Sequence, residues 1–243
     1  MLQLYFIRHG QSTNNVIMED TGFHEYLVER DPEPDLTPIG FEQANLTGDY
    51  LARPQKNDGF DPQNRQGFGL THLYCSLMIR SIKTGQAISR KTGLPLVAWP
   101  EVHETGGIFH VKIEDGEPIF NGMPGHGKDF FASEFPDLII PEDLPQEGWW
   151  NRDKEPREKY RERAQAIIDC LVEKHSGKDH KVGIVTHGGI FARILSTLFN
   201  VQAERYWFLM NNCAISRIDI EDDGRFALLY MNKVDHLPDQ LVT

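Results

Sequence analysis

Two short, largely apolar runs at opposite ends of the chain, Leu2–Ile7 and Lys181–Thr186, each lead straight into a histidine followed by glycine: Arg8-His9-Gly10 and His187-Gly188-Gly189. Runs of that length bounded by glycine read as strands buried on both faces, as in a parallel sheet. Each histidine then sits at a strand exit. In open α/β sheets, strand ends are where loops converge side chains and backbone N–H groups on one crevice. Two histidines so placed, one beside an arginine, describe an anion pocket containing a nucleophile.

The rest of the chain repeats the alternation. Thr37 is an N-cap and Pro38 suits the first helical position, so a helix is expected from there to about Ala52, ahead of Pro54. Residues 54–70 are rich in Gly, Asn, Asp, Gln and Pro and read as a loop. Thr71–Cys75 reads as a strand, about Met78 to Lys91 as a helix stopped by Gly93, and Leu94–Trp99 as a third strand. Tyr160, Ala164, Ile167, Ile168 and Leu171 recur at helical spacing within Pro156–Lys174. Gly189–Phe199 restarts as a helix, and Ala214–Ile220 with Phe226–Met231 form a hairpin across Glu221–Arg225. Strands alternating with helices predict an α/β fold with a largely parallel sheet. From Gly106 to about Asn151 the pattern breaks into Gly, Pro, acidic residues and scattered aromatics, too long for a plain loop. That segment is expected to be an insertion that packs on its own aromatics and covers the site, a surface excursion being the alternative.

With 243 residues and no linker or repeat, a single domain over 1–243 is expected. The formal net charge of −11 opposes binding to nucleic acid or to an anionic membrane, so any phosphate site must be made locally by a few arginines. Cys75, Cys170 and Cys213 contain no Cys-x-x-Cys pair, which disfavours a disulfide framework or a cysteine zinc site. No run approaches the roughly 20 apolar residues of a membrane span. The first strand begins at Leu2, leaving no room for a secretory leader ahead of it, and the expected location is the cytoplasm.

A nucleophilic imidazole needs a neutral ring with one nitrogen held by a hydrogen bond and the other lone pair facing outward. His9 is placed for that, and Arg8 beside it both disfavours the imidazolium and offers forked donors to phosphoryl oxygens. Gly10 lets the chain pass close to an anion, and Gln11-Ser12-Thr13-Asn14-Asn15 adds short polar groups. Arg80 opens a helix after a strand, as a pocket cation or as a surface salt bridge. A strand-end histidine can also be merely a hydrogen-bonded core residue. His103, His110 and His126 match no metal-ligand spacing. Trp149 and Trp150 read as anchors for the long segment before they read as ring-stacking surfaces. Glu221–Asp223 reads as a solvated turn.

Taken in order, four motifs resemble those of the histidine phosphatase superfamily, in its phosphoglycerate-mutase-like branch, over nearly the whole chain. They are Arg8-His9-Gly10 with Ser12 and Asn15, then Leu36-Thr37 with Gly40, Gln43 and Ala44, then Ser76 with Arg80 and Thr84, and finally Thr186 to Gly189. The resemblance implies a three-layer α/β/α fold with a mostly parallel central sheet and helices on both faces. It also implies that His9 becomes a phosphohistidine while Arg8, Arg80 and His187 bind the transferring phosphoryl oxygens. Ser12, Asn15 and the Gly188 N–H would contact substrate. An acidic residue after the third strand protonates the leaving group and then activates water; Glu104 fits best, Glu101 is the rival, and His103 is structural or a substrate contact. No metal or organic cofactor is implied.

The family holds both mutases and phosphatases. Mutases carry extra basic residues for the substrate carboxylate, whereas the segment after Glu104 offers only Lys112 and Lys128 among many acidic residues. Thr21-Gly22 resembles a mutase substrate loop, but Glu25–Pro34 departs from mutase spacing. The expected partner is therefore a small phosphorylated metabolite and the expected reaction hydrolysis of a phosphomonoester. Phosphoglycerate mutase is the alternative, and a noncatalytic phosphate sensor a further one. A wall made by Ile108, Phe109 or Phe120 would favour bulkier alcohols.

Overall fold

In the computed structural model, residues 1–56, 59–202, 205–206 and 208–243 are described. The chain runs β1 (Leu2–Arg8), α1 (Thr13–Thr21), α2 (Phe23–Glu29), α3 (Pro38–Leu51), β2 (His72–Cys75), α4 (Ile79–Thr92) and β3 (Leu96–Ala98). It continues through β4 (Phe109–Glu114), β5 (Glu117–Gly122), α5 (Lys128–Glu134), β6 (Leu138–Ile139), α6 (Lys159–His175), β7 (Lys181–Thr186), α7 (Gly188–Leu198), β8 (Ile215–Ile220) and β9 (Phe226–Lys233). Single 3-10 turns lie at Pro100–Val102 and Asp239–Leu241.

Seven strands form one sheet in the order β6-β3-β2-β7-β1-β8-β9. The first five are mutually parallel, and β8 and β9 add an antiparallel edge. Period-two alternation along β1 sends Tyr5 and Ile7 into one apolar layer with Leu51, Ile82 and Ile88 of α3 and α4. Leu2, Leu4 and Phe6 enter the opposite layer with Ala164, Ile167, Ile190 and Ile194 of α6 and α7. Three layers follow, as the resemblance implied. Burying one Ile or Phe contributes about 2 kcal/mol, so a one-residue slip of β1, which would exchange its two faces, is strongly disfavoured.

The helix ends obey local chemistry. The Thr37 hydroxyl accepts the Gly40 N–H at 3.0 Å with Pro38 in the first turn, and α4 ends on Gly93 with φ +73°, its N–H donating to Ser89 O at 2.8 Å. Among the described residues, no helix is long and apolar enough to cross a membrane.

Two stretches differ from expectation. The polar segment after Gly10 contains α1 and α2, helices of nine and seven residues, too short for a 3.6-residue period to declare itself. Residues 106–151 carry β4 and β5 as a separate antiparallel hairpin, then α5, and β6 pairs with β3 at the edge of the main sheet. Trp149 and Trp150 are buried in the apolar layer beneath. Residues 54–70 are without helix or strand where described; Asn57 and Asp58 lie outside the described residues.

Candidate active site

Three neighbouring parallel strands end together. Register pairs Arg8 of β1 with Thr186 of β7, and Cys75 of β2 with Val185, so His9, His187 and Ser76 leave the sheet side by side. The His9 and His187 rings lie 5.0 Å apart, tilted by 56°. That spacing is too small for a tetrahedral oxyanion between them, so an anion must sit to one side of the pair rather than across it. His187 is fully buried with its Nε2 2.7 Å from Ser76 Oγ, and its Nδ1 has no hydrogen-bond partner.

His9 is held as a neutral ring. Its Nδ1 lies 2.7 Å from the Gly10 carbonyl, which can only accept, so Nδ1 carries the proton and Nε2 keeps its lone pair. Arg80 Nε donates to that lone pair at 3.2 Å. Burial, then the charges of Arg80 and Arg8, push the His9 imidazole well below its ordinary value, and His187 is pushed down for the same leading reason. Both rings are therefore uncharged near neutral pH.

The loop behind the nucleophile is clamped by the second and third motifs. Gly10 N–H donates to Thr84 Oγ1 at 3.0 Å, and Thr84 in turn donates to the Arg80 carbonyl at 2.7 Å. Gln11 N–H donates to Gln43 Oε1 at 2.7 Å, and the Thr37 hydroxyl donates to Gln11 Oε1 at 2.7 Å. A Cβ on Gly40 would run into the Gln11 carbonyl, and one on Gly10 into the Gly40 carbonyl, so both must be glycine for the backbones to approach. The Leu-Thr-x-x-Gly-x-x-Gln helix thus supports the His9 loop without touching the cavity.

A cavity of about 340 Å³ opens over this floor, lined by Arg8, His9, Ser12, Asn15, Arg80, Glu104 and Gly188 among others. His187 lies behind its surface. Arg8 Nη1 donates to the Met210 carbonyl at 2.6 Å. Asn15 Oδ1 accepts from the Ser12 N–H at 3.0 Å, the Ser12 hydroxyl at 2.9 Å and Asn212 Nδ2 at 3.2 Å, which leaves its own amide N–H groups to donate. Glu104 lies at the N-terminus of α7, its carboxylate accepting the Gly189 and Ile190 N–H groups at 3.1 Å and the Thr105 N–H at 2.7 Å. Glu101 is exposed and lines a different cavity, and His103 is buried against Trp149 and Trp150. Geometry thus favours Glu104 over its rival.

Toward its mouth the cavity is walled by Met18, Tyr26, Phe109, Phe208 and Leu209, with one further cation, Arg30. Arg30 donates to the Phe109 carbonyl at 2.6 Å and lies 4.0 Å over its ring. Of the apolar candidates only Phe109 lines the cavity; Phe120 packs edge-on against it and Ile108 is buried. Lys112 and Lys128 lie on β4 and α5, off the lining, and Thr21 is exposed at the end of α1. His126 stacks on Phe130 at 3.6 Å, and neither it nor His110 belongs to a cluster of ligating groups among the described residues.

Three contributors carried no signal readable from the sequence. Asn212 ties the β8 approach to the His9 carbonyl at 3.0 Å as well as to Asn15. Arg30 comes from the polar stretch where no helix was expected. Glu33 lies behind Arg80, its Oε1 4.0 Å from Nη1, with neither carboxyl oxygen hydrogen-bonded. Burial pushes the Glu33 carboxyl up to about 8, with Arg80 opposing. Near neutral pH it is mostly protonated and leaves the Arg80 charge for an anion in the cavity.

Residues 4–110 and 125–233 match the histidine phosphatase superfamily (branch 1). The unmatched residues 111–124 span most of the β4–β5 hairpin. Among curated proteins, the chain is 27% identical over 237 residues to "Putative phosphoserine phosphatase 2" of Hydrogenobacter thermophilus, covering 97% of this chain and 98% of that protein. It is 24% identical over 239 residues to "Probable phosphoglycerate mutase GpmB" of Yersinia pestis, covering 93% and 89%. Its fold matches the crystal structure of a phosphoserine phosphatase from Entamoeba histolytica in complex with 3-phosphoglyceric acid, with TM-score 0.57, 17% identity and coverage of 98% and 100%.

Proposed function

The chain belongs to the histidine phosphatase superfamily, branch 1, and on that premise we propose that it is a phosphatase that hydrolyses small phosphomonoesters through a phosphohistidine on His9. The observation that carries this reading is the state of His9: neutral, its Nδ1 proton bound by the Gly10 carbonyl, its Nε2 lone pair turned toward Arg80 in a cavity lined by a second arginine. An incoming phosphoryl group takes over the guanidinium donors of Arg80 and Arg8 and thereby frees that lone pair. Nε2 then forms the N–P bond as the bond from phosphorus to the alcohol oxygen breaks, and Glu104 passes to the departing oxygen the proton brought in by the phosphomonoester monoanion. In the second step water attacks phosphorus, Glu104 takes a proton from it, the N–P bond breaks, and phosphate leaves with His9 neutral again. The Asn15 amide N–H groups and the Gly188 N–H complete the oxyanion contacts, with Ser12 orienting Asn15 and His187 backing the His9 ring, so that alignment and charge stabilisation supply the catalysis.

A cavity of this size beside a strongly acidic overall surface fits a small phosphorylated metabolite drawn in by local arginines. The two apolar layers packed on one sheet support reading 1–243 as a single domain, with 106–151 packed beside the site. Unpaired Cys75, Cys170 and Cys213 fit a reducing cytoplasm.

Rapid quench into alkaline denaturant during turnover of a radiolabelled phosphomonoester should trap an alkali-stable, acid-labile phosphoryl group on His9 and none in His9→Ala. Label on any other side chain would overturn the assignment. Mutase chemistry, the reading favoured by the relative of that name, would instead show bisphosphoglycerate-dependent interconversion without phosphate release. A sensor would turn over no p-nitrophenyl phosphate at all.

A further inference from the structure

A second cluster of imidazoles lies at the opposite end of the central strands. His72 opens β2, His175 closes α6 and His180 immediately precedes β7, so all three stand at the strand N-termini, whereas His9, Ser76 and His187 stand at the C-termini. Six residues of β7 separate the two groups, a distance of about 20 Å at the rise of an extended strand. We propose that His72, His175 and His180 form a zinc-binding site, with water or another exogenous ligand in the fourth position.

The geometry is that of an open tripod. The ring centroids are 4.2 Å apart for His72 and His180, 4.8 Å for His72 and His175, and 5.1 Å for His175 and His180. One ring nitrogen from each lies within 4.8 Å of the other two. Tetrahedral zinc with Zn–N bonds of about 2.0–2.1 Å places its nitrogens roughly 3.4 Å apart, so small ring rotations close the set. His175 Nδ1 and His180 Nδ1 already face one another at 2.9 Å. Two nitrogen lone pairs at that distance repel unless a proton or a metal lies between them, and the cation would take the place of the shared proton, which moves to the distal nitrogen of its ring.

The outer contacts set the ring nitrogens for this purpose. The Thr71 hydroxyl donates to the Lys181 carbonyl at 3.2 Å, so at 2.8 Å it accepts from His72 Nδ1–H and leaves the His72 Nε2 lone pair free. Tyr74 Oη lies 3.3 Å from His175 Nε2, where it can accept that N–H and turn Nδ1 toward the cluster. Hydroxyl partners on the distal nitrogen are the usual means of fixing a ligating histidine's tautomer. These contacts turn one lone pair of His72 and one of His175 toward the space between the rings, as a metal requires. Lys174 and Lys178 also act on His175 and oppose a cation. Imidazole ligands without a carboxylate suit Zn²⁺ over Mg²⁺ or Ca²⁺. The bound ion would join the end of α6 to the starts of β2 and β7.

The test is a zinc titration, by isothermal calorimetry, of the full-length protein after chelator treatment. One ion per chain is expected, accompanied by a rise in thermal midpoint. His72→Ala and His180→Ala, both at partly exposed positions, should each weaken binding about tenfold or more while p-nitrophenyl phosphate turnover stays unchanged, which reports that the fold and the distant site are intact. Buried His175→Ala should remove binding, and His175→Gln serves if the alanine variant does not fold. Absence of zinc binding at micromolar concentration, or binding of wild-type strength in the His72→Ala/His180→Ala double variant, would overturn the proposal. Loss of p-nitrophenyl phosphate turnover in His9→Ala bears on the other site alone, so the two readings stand or fall separately.

Discussion

Replacing Glu33 by Gln should remove a pH-dependent penalty on folding. The Glu33 carboxyl is raised from 4.5 to about 8, chiefly by burial, with Arg80 pulling the other way. Between those values the folded chain keeps a proton that the unfolded chain has released, so folding becomes less favourable as pH rises, by about 1.4 kcal/mol per pH unit. The penalty is absent below about pH 4.5, reaches about 3 kcal/mol at pH 7 and levels off near about 5 kcal/mol above pH 8. Gln is close to the protonated carboxyl in shape and cannot ionise. Wild type and Glu33→Gln should therefore unfold alike near pH 4.5, and the variant should gain steadily as pH rises. For a chain of 243 residues, 3 kcal/mol corresponds to about 6–12 °C in thermal midpoint at pH 7. Urea unfolding of both proteins across pH 4.5 to 9 in phosphate-free buffer isolates this one group, because every other titration is common to the two curves. A constant difference between the curves over that range would refute the reasoning. Activity supplies a second readout: above pH 8 the wild-type KM should rise as ionised Glu33 competes for Arg80, and the variant should lack that rise.

Glu104→Gln should slow esters of poorly activated alcohols by about 10²-fold or more while sparing aryl phosphates, and equal losses on both would remove Glu104 from the proton-donor role. The acid limb of kcat/KM, corrected for substrate ionisation, should fall well below pH 6.5, since His9 is lowered by burial and two arginines and must be neutral to attack; a limb at 6.5 in wild type would contradict that environment. Gly40→Ala should cost about 1–3 kcal/mol in urea unfolding and depress turnover, because the added methyl displaces the Gln11 carbonyl and with it the His9 loop; unchanged kcat would show that the clamp does not position the nucleophile. Ser76→Ala should lower kcat more than it raises KM by freeing His187 Nε2, as read from steady-state kinetics at saturating substrate.

Local pattern was enough to place β1, β7 and the helices α3, α4, α6 and α7, because apolar periodicity, caps and glycine stops act over a few residues and declare themselves in order along the chain. The same locality placed His9 and His187 at strand exits, and a parallel register then made them neighbours. It missed α1 and α2, which are only nine and seven residues long, and it read 106–151 as one departure, where a hairpin, a helix and an edge strand are spliced together.

Packing alone decided the remainder. Glu101 and Glu104 are equally acidic and three positions apart, yet only Glu104 meets the N–H groups at the start of α7. Glu33, Arg30 and Asn212 join the site through contacts across helices and loops that leave no periodicity behind them. His175 and His180 stand at H-x4-H spacing across the turn between α6 and β7, but their third partner, His72, comes from β2 about a hundred residues earlier, and only the fold brings it to them. Sequence motifs record the residues that must be near one another in the chain; the burial that neutralises His9, and the convergence that aligns groups from distant segments, exist only once the sheet has closed around them.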